Sequence, residues 1–152
     1  MVSTAYKQAF YAAETDDDTL TCVLIEHAAL SEPIRVVHGF DNIVHLGEVY
    51  SAAAFRATLP EQDDKMSPRC TIVVENIDRE MVPAVRAASG VPTMTIFEVL
   101  QSDPDTIEDI YPEMDVLEVE YDSAQISIDA GYPDLDTQAF GGVFTLSQWS
   151  AL

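Results

Sequence analysis

Between Leu117 and Ala130 the sequence alternates with a period of two. Leu117, Val119 and Tyr121 alternate with Glu118 and Glu120, and then Ala124, Ile126, Ile128 and Ala130 alternate with Gln125, Ser127 and Asp129. Successive side chains of a β-strand point to opposite faces, so each half is a strand with one buried and one wet face. Asp122-Ser123 supplies the turn between them, and the whole reads as an antiparallel hairpin. Its wet face carries Glu118, Glu120, Gln125 and Asp129, which makes these four the candidates for lining an aqueous channel.

The rest of the chain is punctuated in a similar way. Leu20 to Ile25 is apolar on both faces, as a central strand is. Ile34 to His38 follows Pro33 and stops at the turn Gly39-Phe40-Asp41-Asn42, and Ile43 to His45 and Val49 to Tyr50 flank Gly47 as a tight hairpin in a meander. Phe55 to Leu59, Cys70 to Glu75 and Thr93 to Leu100 are further strands, the first two separated by the polar loop EQDDKMSP. QSDPDTIEDIYPE, after Leu100, reads as a polar excursion.

Two helices are expected. Ser3 or Thr4 caps one reaching about Glu14, with Tyr6, Ala9, Phe10 and Ala13 on one stripe, and the acidic turn Thr15-Asp16-Asp17-Asp18 ends it. The second lies near residues 78–89, with Ile77, Met81, Val82 and Val85 on its apolar face, Pro83 limiting its length and Gly90 as its stop. The predicted fold is therefore mainly β (α+β): an antiparallel β-barrel or sandwich with a short N-terminal helix and one more short helix. Residues 1–130 form the β-rich domain. Residues 131–152 carry Phe140, Phe144 and Trp149 with little periodicity and read as an aromatic arm that docks on its own domain or on a neighbour.

Charge decides which partners are open to such a chain. Twenty-seven Asp and Glu face seven Lys and Arg, a net charge of −20, while 47% of the residues are apolar. The apolar share suits a folded core, and the charge repels phosphate backbones and anionic membrane surfaces. No apolar run approaches the ~18 residues of a membrane span, and the opening MVSTAYKQAFYAAE has no long apolar stretch of a signal peptide. Cys22 and Cys70 each lie inside an apolar run and read as small buried hydrophobes of a reducing cytoplasm.

No catalytic constellation is legible. There is no GxSxG elbow, P-loop or GxGxxG turn. His27 follows Glu26 without a second histidine four residues on, and His38 and His45 flank Asp41 but read as turn-flanking residues before they read as metal ligands. No metal or other cofactor is expected, and the chain reads as a protein that is not an enzyme.

The stretch SPRCTIVVENIDREMVPAVRAASGVPTMTIFEVLQSDPDTIE joins a Pro-Arg strand, Asn-Ile-Asp-Arg-Glu, a helix with Val-Arg, a Gly and a strand ending in Asp-Pro-Asp. With YKQAFYAAETDDDTLTCVLIEHAALSEPIRVV, VYSAAAFRATLP and FGGVFTLSQWSAL it resembles an uncharacterised family of small tail-module proteins of tailed bacteriophages, over nearly the whole chain. The middle region also resembles the β-domain of the minor tail protein L family of lambda-like phages, without that family's cysteine-bearing extension, so no iron–sulfur cluster is implied. The resemblance implies a structural component of the virion's tail tip, made in the host cytoplasm. Its form would be a homo-oligomeric ring, trimeric or hexameric, joining the tail tube protein to other tip proteins and the receptor-binding apparatus. DNA would pass through the lumen without stable binding. The alternatives are a tail-associated hydrolase and a transient tail assembly chaperone.

Overall fold

The computed structural model describes residues 2–11, 17–59, 69–75, 90–122 and 125–132. The expected helix near 78–89, the loop EQDDKMSP, Ala124 and the arm residues Phe140, Phe144 and Trp149 lie outside the described residues.

One helix, α1 (Thr4–Tyr11), precedes β1 (Thr19–Glu26), β2 (Ile34–His38), β3 (Ile43–His45), β4 (Glu48–Ala53), β5 (Phe55–Thr58), β6 (Arg69–Glu75), β7 (Thr93–Leu100), β8 (Asp103–Tyr121) and β9 (Gln125–Gly131). The strands form one sheet in the order β3-β4-β2-β1-β7-β8-β9-β6-β5. The protein is mainly β, as the sequence implies, and it is a sandwich-like sheet with two ends, not a closed barrel. All described pairings are antiparallel except β2 with β4, where Val36 to His38 run parallel to Ser51 to Ala53. The expected meander is therefore interrupted. β3 and β4 do form the tight hairpin, but β4 returns beside β2 and leaves β3 outermost.

The hairpin's geometry follows from its turn. His45 pairs with Glu48, and the two residues between them, Leu46 and Gly47, have φ of 49° and 86°. Two successive left-handed residues make the turn whose twist matches that of paired strands. Gly47 adopts this conformation without strain, whereas Leu46 incurs a steric cost.

The sheet folds back on itself because its central strands are apolar on both faces. Cys22 and Val23 are adjacent in β1 yet belong to different core clusters, as do Val36 and Val37 in β2. The larger cluster joins Val23, Ile25, Val36 and Ile96 to Phe55, Ile72 and Val74, although β2 and β5 stand third and last in the strand order. Only a folded-over sheet brings these together. Ala54 alone separates β4 from β5, so a single residue carries the chain from the second position of the strand order to the last. The smaller cluster lies on the opposite face of β1 and β7, where Tyr50 of β4 covers Cys22, Phe97 and Val99.

Two features of β8 correct the sequence reading. Residues 103–113 are not an excursion but the first half of a 19-residue strand, and the turn out of β7 is only Gln101-Ser102. Asp17 holds that turn by accepting hydrogen bonds from Ser102 N and Oγ at 3.0 and 2.6 Å. Leu117, expected on the buried face, is 51% exposed. Val116 pairs with Ala130 and Glu118 with Asp129, so Leu117 is the extra residue of a β-bulge. The bulge hands the inward position to Val116, and regular alternation resumes at Val119.

Helix α1 is short and needs anchoring. Ser3 caps it, its Oγ accepting from Tyr6 N at 3.0 Å, while Ser3 N and Oγ donate to Glu108 at 2.7 and 2.6 Å. The Tyr6 hydroxyl donates to Glu98 on β7. Burial above all, then this hydrogen bond and the charge of Glu98, push the tyrosine's pKa well above its ordinary value.

Candidate functional site

Glu118 and Glu120 project from β8 on the face away from the core, and Gln125 and Asp129 project from β9 on the same side. The inward residues of these strands, Val119, Ile126 and Ile128, belong to the large core cluster or pack against it. Register continues the face across β6 and β5. Thr58, Thr71, Asp129 and Glu118 stand in one cross-strand row, and Arg56, Val73, Ser127 and Glu120 in the next.

Glu118 sits directly opposite Asp129, and like charges in that position destabilise a sheet by a few tenths of a kcal/mol to about 1 kcal/mol. Asp129 accepts a 2.6 Å hydrogen bond from Thr71 Oγ1, but among the described residues no Lys or Arg pairs with Glu118, Glu120 or Asp129. Arg35 with Glu48, at 3.2 Å, is the one ion pair described. Glu120, Asp122, Gln125 and Ser127 border an open hollow of about 420 Å³ at the end of the hairpin. The turn there is closed by Asp122 Oδ1 accepting from Gln125 N at 2.9 Å and Gln125 O accepting from Asp122 N at 3.0 Å. This is an acidic, largely exposed surface.

The histidines separate. His45 is buried, its Nδ1 2.6 Å from the Pro104 carbonyl oxygen and its ring packed on Phe97 with centroids 4.8 Å apart. It pins the β3–β4 hairpin to the start of β8, helped by Leu46 N donating to Asp105 at 2.6 Å. His38 is exposed and lies edge-on to Phe55 at 5.3 Å, across the seam between β2 and β5. His27 accepts from Ala29 N at 3.0 Å in the loop after β1. Among the described residues no three His, Cys, Asp or Glu side chains gather as metal ligands.

Cys22 and Cys70 are free, buried and in different core clusters, so they cannot bridge. Burial pushes the Cys22 thiol up to about 12, and burial with the nearby Asp129 charge pushes Cys70 up to about 11. Thiols held neutral in this way are poor nucleophiles.

The seam between β5 and the β2-β1-β7 strands borders an open cleft of about 330 Å³ beside Thr21, His38, Phe55, Arg56 and Glu98. With Glu98 bonded to Tyr6, the seam is tied to α1. Sequence reasoning overlooked a different surface. Phe40, Val44, Leu46 and Val49 are all exposed on and beside the β3–β4 hairpin. The signal was present, since this short outer hairpin is apolar on both faces, but its length is too small for alternation to stand out.

Fold and surface together define a sandwich-like β-domain with an acidic outer face and no catalytic cluster among the described residues. Residues 5–143 match the family described as domain of unknown function (DUF1833), and the chain belongs to that family. No curated protein sequence matches it significantly.

Proposed function

We propose that this chain is a structural component of a bacteriophage tail tip, a ring subunit at the distal tail or hub joining the tail tube to the receptor-binding apparatus. The observation that carries the reading is the outer face of β8 and β9, where Glu118, Glu120 and Asp129 stand together with no cationic partner among the described residues. Placing two carboxylates opposite each other gains the fold nothing, but an acidic wall around a lumen lets a polyanion pass without adhering. The resemblance of the sequence to phage tail-module proteins supplies the setting. The strand order, which ends on β3 and β5, suits a subunit that presents different surfaces to its two neighbours in a ring, whether trimeric or hexameric.

Deleting the coding sequence from a phage that carries it tests the proposal. Tails should then lack a complete tip and infectivity should collapse; intact, infectious tails would refute it. Detecting the protein in purified virions separates a resident subunit from a transient assembly chaperone. Replacing Glu118, Glu120 and Asp129 together with lysine should leave tails assembled but slow DNA ejection, and unchanged ejection would remove the lumen assignment.

A further inference from the structure

The β3–β4 hairpin carries an apolar patch that the fold leaves uncovered. Val44 and Val49 are cross-strand partners pointing away from the smaller core cluster, which Tyr50 and Ile43 face from the same two strands. Both valines are more than half exposed; Leu46 at the tip is 71% exposed and Phe40, just before β3, is fully exposed. Among the described residues β3 pairs with β4 alone and packs beside the start of β8. His45 and Asp105 hold the hairpin rigidly against β8, so the patch is presented on a fixed support.

The chain contains one segment chemically suited to this patch. Residues 137–152, TQAFGGVFTLSQWSAL, include no Asp, Glu, Lys, Arg or His in a sequence of net charge −20. An uncharged segment adds no charge repulsion of its own when it meets an acidic body. Its VFTL stretch is rich in strand-forming residues, and Phe140, Phe144 and Trp149 supply apolar bulk.

The described chain passes from β9 into Tyr132 beside Asp115, the partner of Gly131, whereas the hairpin is fastened at Pro104 and Asp105 near the other end of β8. Ten strand residues separate these points by at most about 33 Å. Asp115 lies six residues before the end of β8, so the exit from β9 and the hairpin are different surfaces, and a contact joining them on two copies is heterologous, as in a ring.

We infer that residues 137–152 of one copy dock on the β3–β4 hairpin of the next, covering Phe40, Val44, Leu46 and Val49. This deepens the tail-tip reading by naming a ring contact, but it concerns association of the chain with itself and is measurable without any other tail protein.

The test uses full-length protein and sedimentation velocity. Val44→Lys with Val49→Lys disables the hairpin, and Phe140→Ser, Phe144→Ser and Trp149→Ser together disable the arm; circular dichroism verifies that each variant remains folded. Wild type should self-associate, and each variant alone should lose association by about tenfold or more. The equimolar mixture should form a heterodimer, because it retains one intact hairpin and one intact arm. Association of the arm variant alone would mean hairpin-to-hairpin pairing, and a monomeric wild type would mean that the segment does not join copies. Either result overturns the inference, and so does a mixture that fails to pair. Absence of the protein from virions would instead count against the tail-tip reading and leave the self-association result standing.

Discussion

Glu108 shows how much one buried polar side chain can organise. It is only 7% exposed, and its two oxygens accept from the backbone and hydroxyl of Ser3, fixing the start of α1 against β8. Glu108→Ala should cost about 1–3 kcal/mol by chemical denaturation, since it leaves the Ser3 donors without their acceptor. Tyr6→Phe should cost less, because it removes one hydrogen bond to Glu98 but retains the ring. The thiols give a pH prediction with a definite sign. Above their ordinary value of 9.0, the unfolded chain sheds its thiol protons, whereas the fold holds Cys22 and Cys70 protonated until about 12 and 11. Their contribution to stability is whole below about pH 9 and is lost as pH rises toward 11–12. Thiol-reactive dye should label neither cysteine at neutral pH until denaturant is added, and rapid labelling of the native protein would contradict their burial.

At the scale of elements, the parts visible from sequence are those whose pattern is local. β1 reads as central because Cys22 and Val23 are both apolar, and it lies between β2 and β7. The β3–β4 hairpin reads correctly because Gly47 marks its turn. What escapes is set by neighbours far along the chain. Residues 103–113 look like a loop because Pro104, Pro112 and many acids interrupt them, yet they pair with β7 through three register shifts, with Glu113 at φ 46°. Bulges destroy the very alternation by which a strand is recognised. The parallel pairing of β2 with β4 leaves no local trace at all. The wet face of the β8–β9 hairpin was legible, while Leu117 misled because a bulge has no signature in a single sequence. Leu117→Lys should therefore change stability by less than about 0.5 kcal/mol, whereas Val116→Lys should cost roughly 3 kcal/mol or more. Urea denaturation of the two variants checks this, and a reversed order would mean that the bulge is misplaced.

Across the whole molecule, a net charge of −20 sits on a sheet with an acidic outer face and an apolar hairpin tip. Self-repulsion on this scale weakens the compact state and opposes association, and salt screens it. Raising sodium chloride from about 20 mM to about 500 mM should raise the melting temperature and strengthen self-association, both measurable by calorimetry and sedimentation. In the proposed ring the acidic face would line the lumen and the apolar contacts would lie between neighbours. The most direct measurement is an electron cryomicroscopy reconstruction of the tail end of a phage that encodes this chain. The account predicts a ring of copies at the distal tail, each showing the nine-strand sheet with Glu118, Glu120 and Asp129 toward the channel. A complete tail tip that contains no copy of the chain would contradict it.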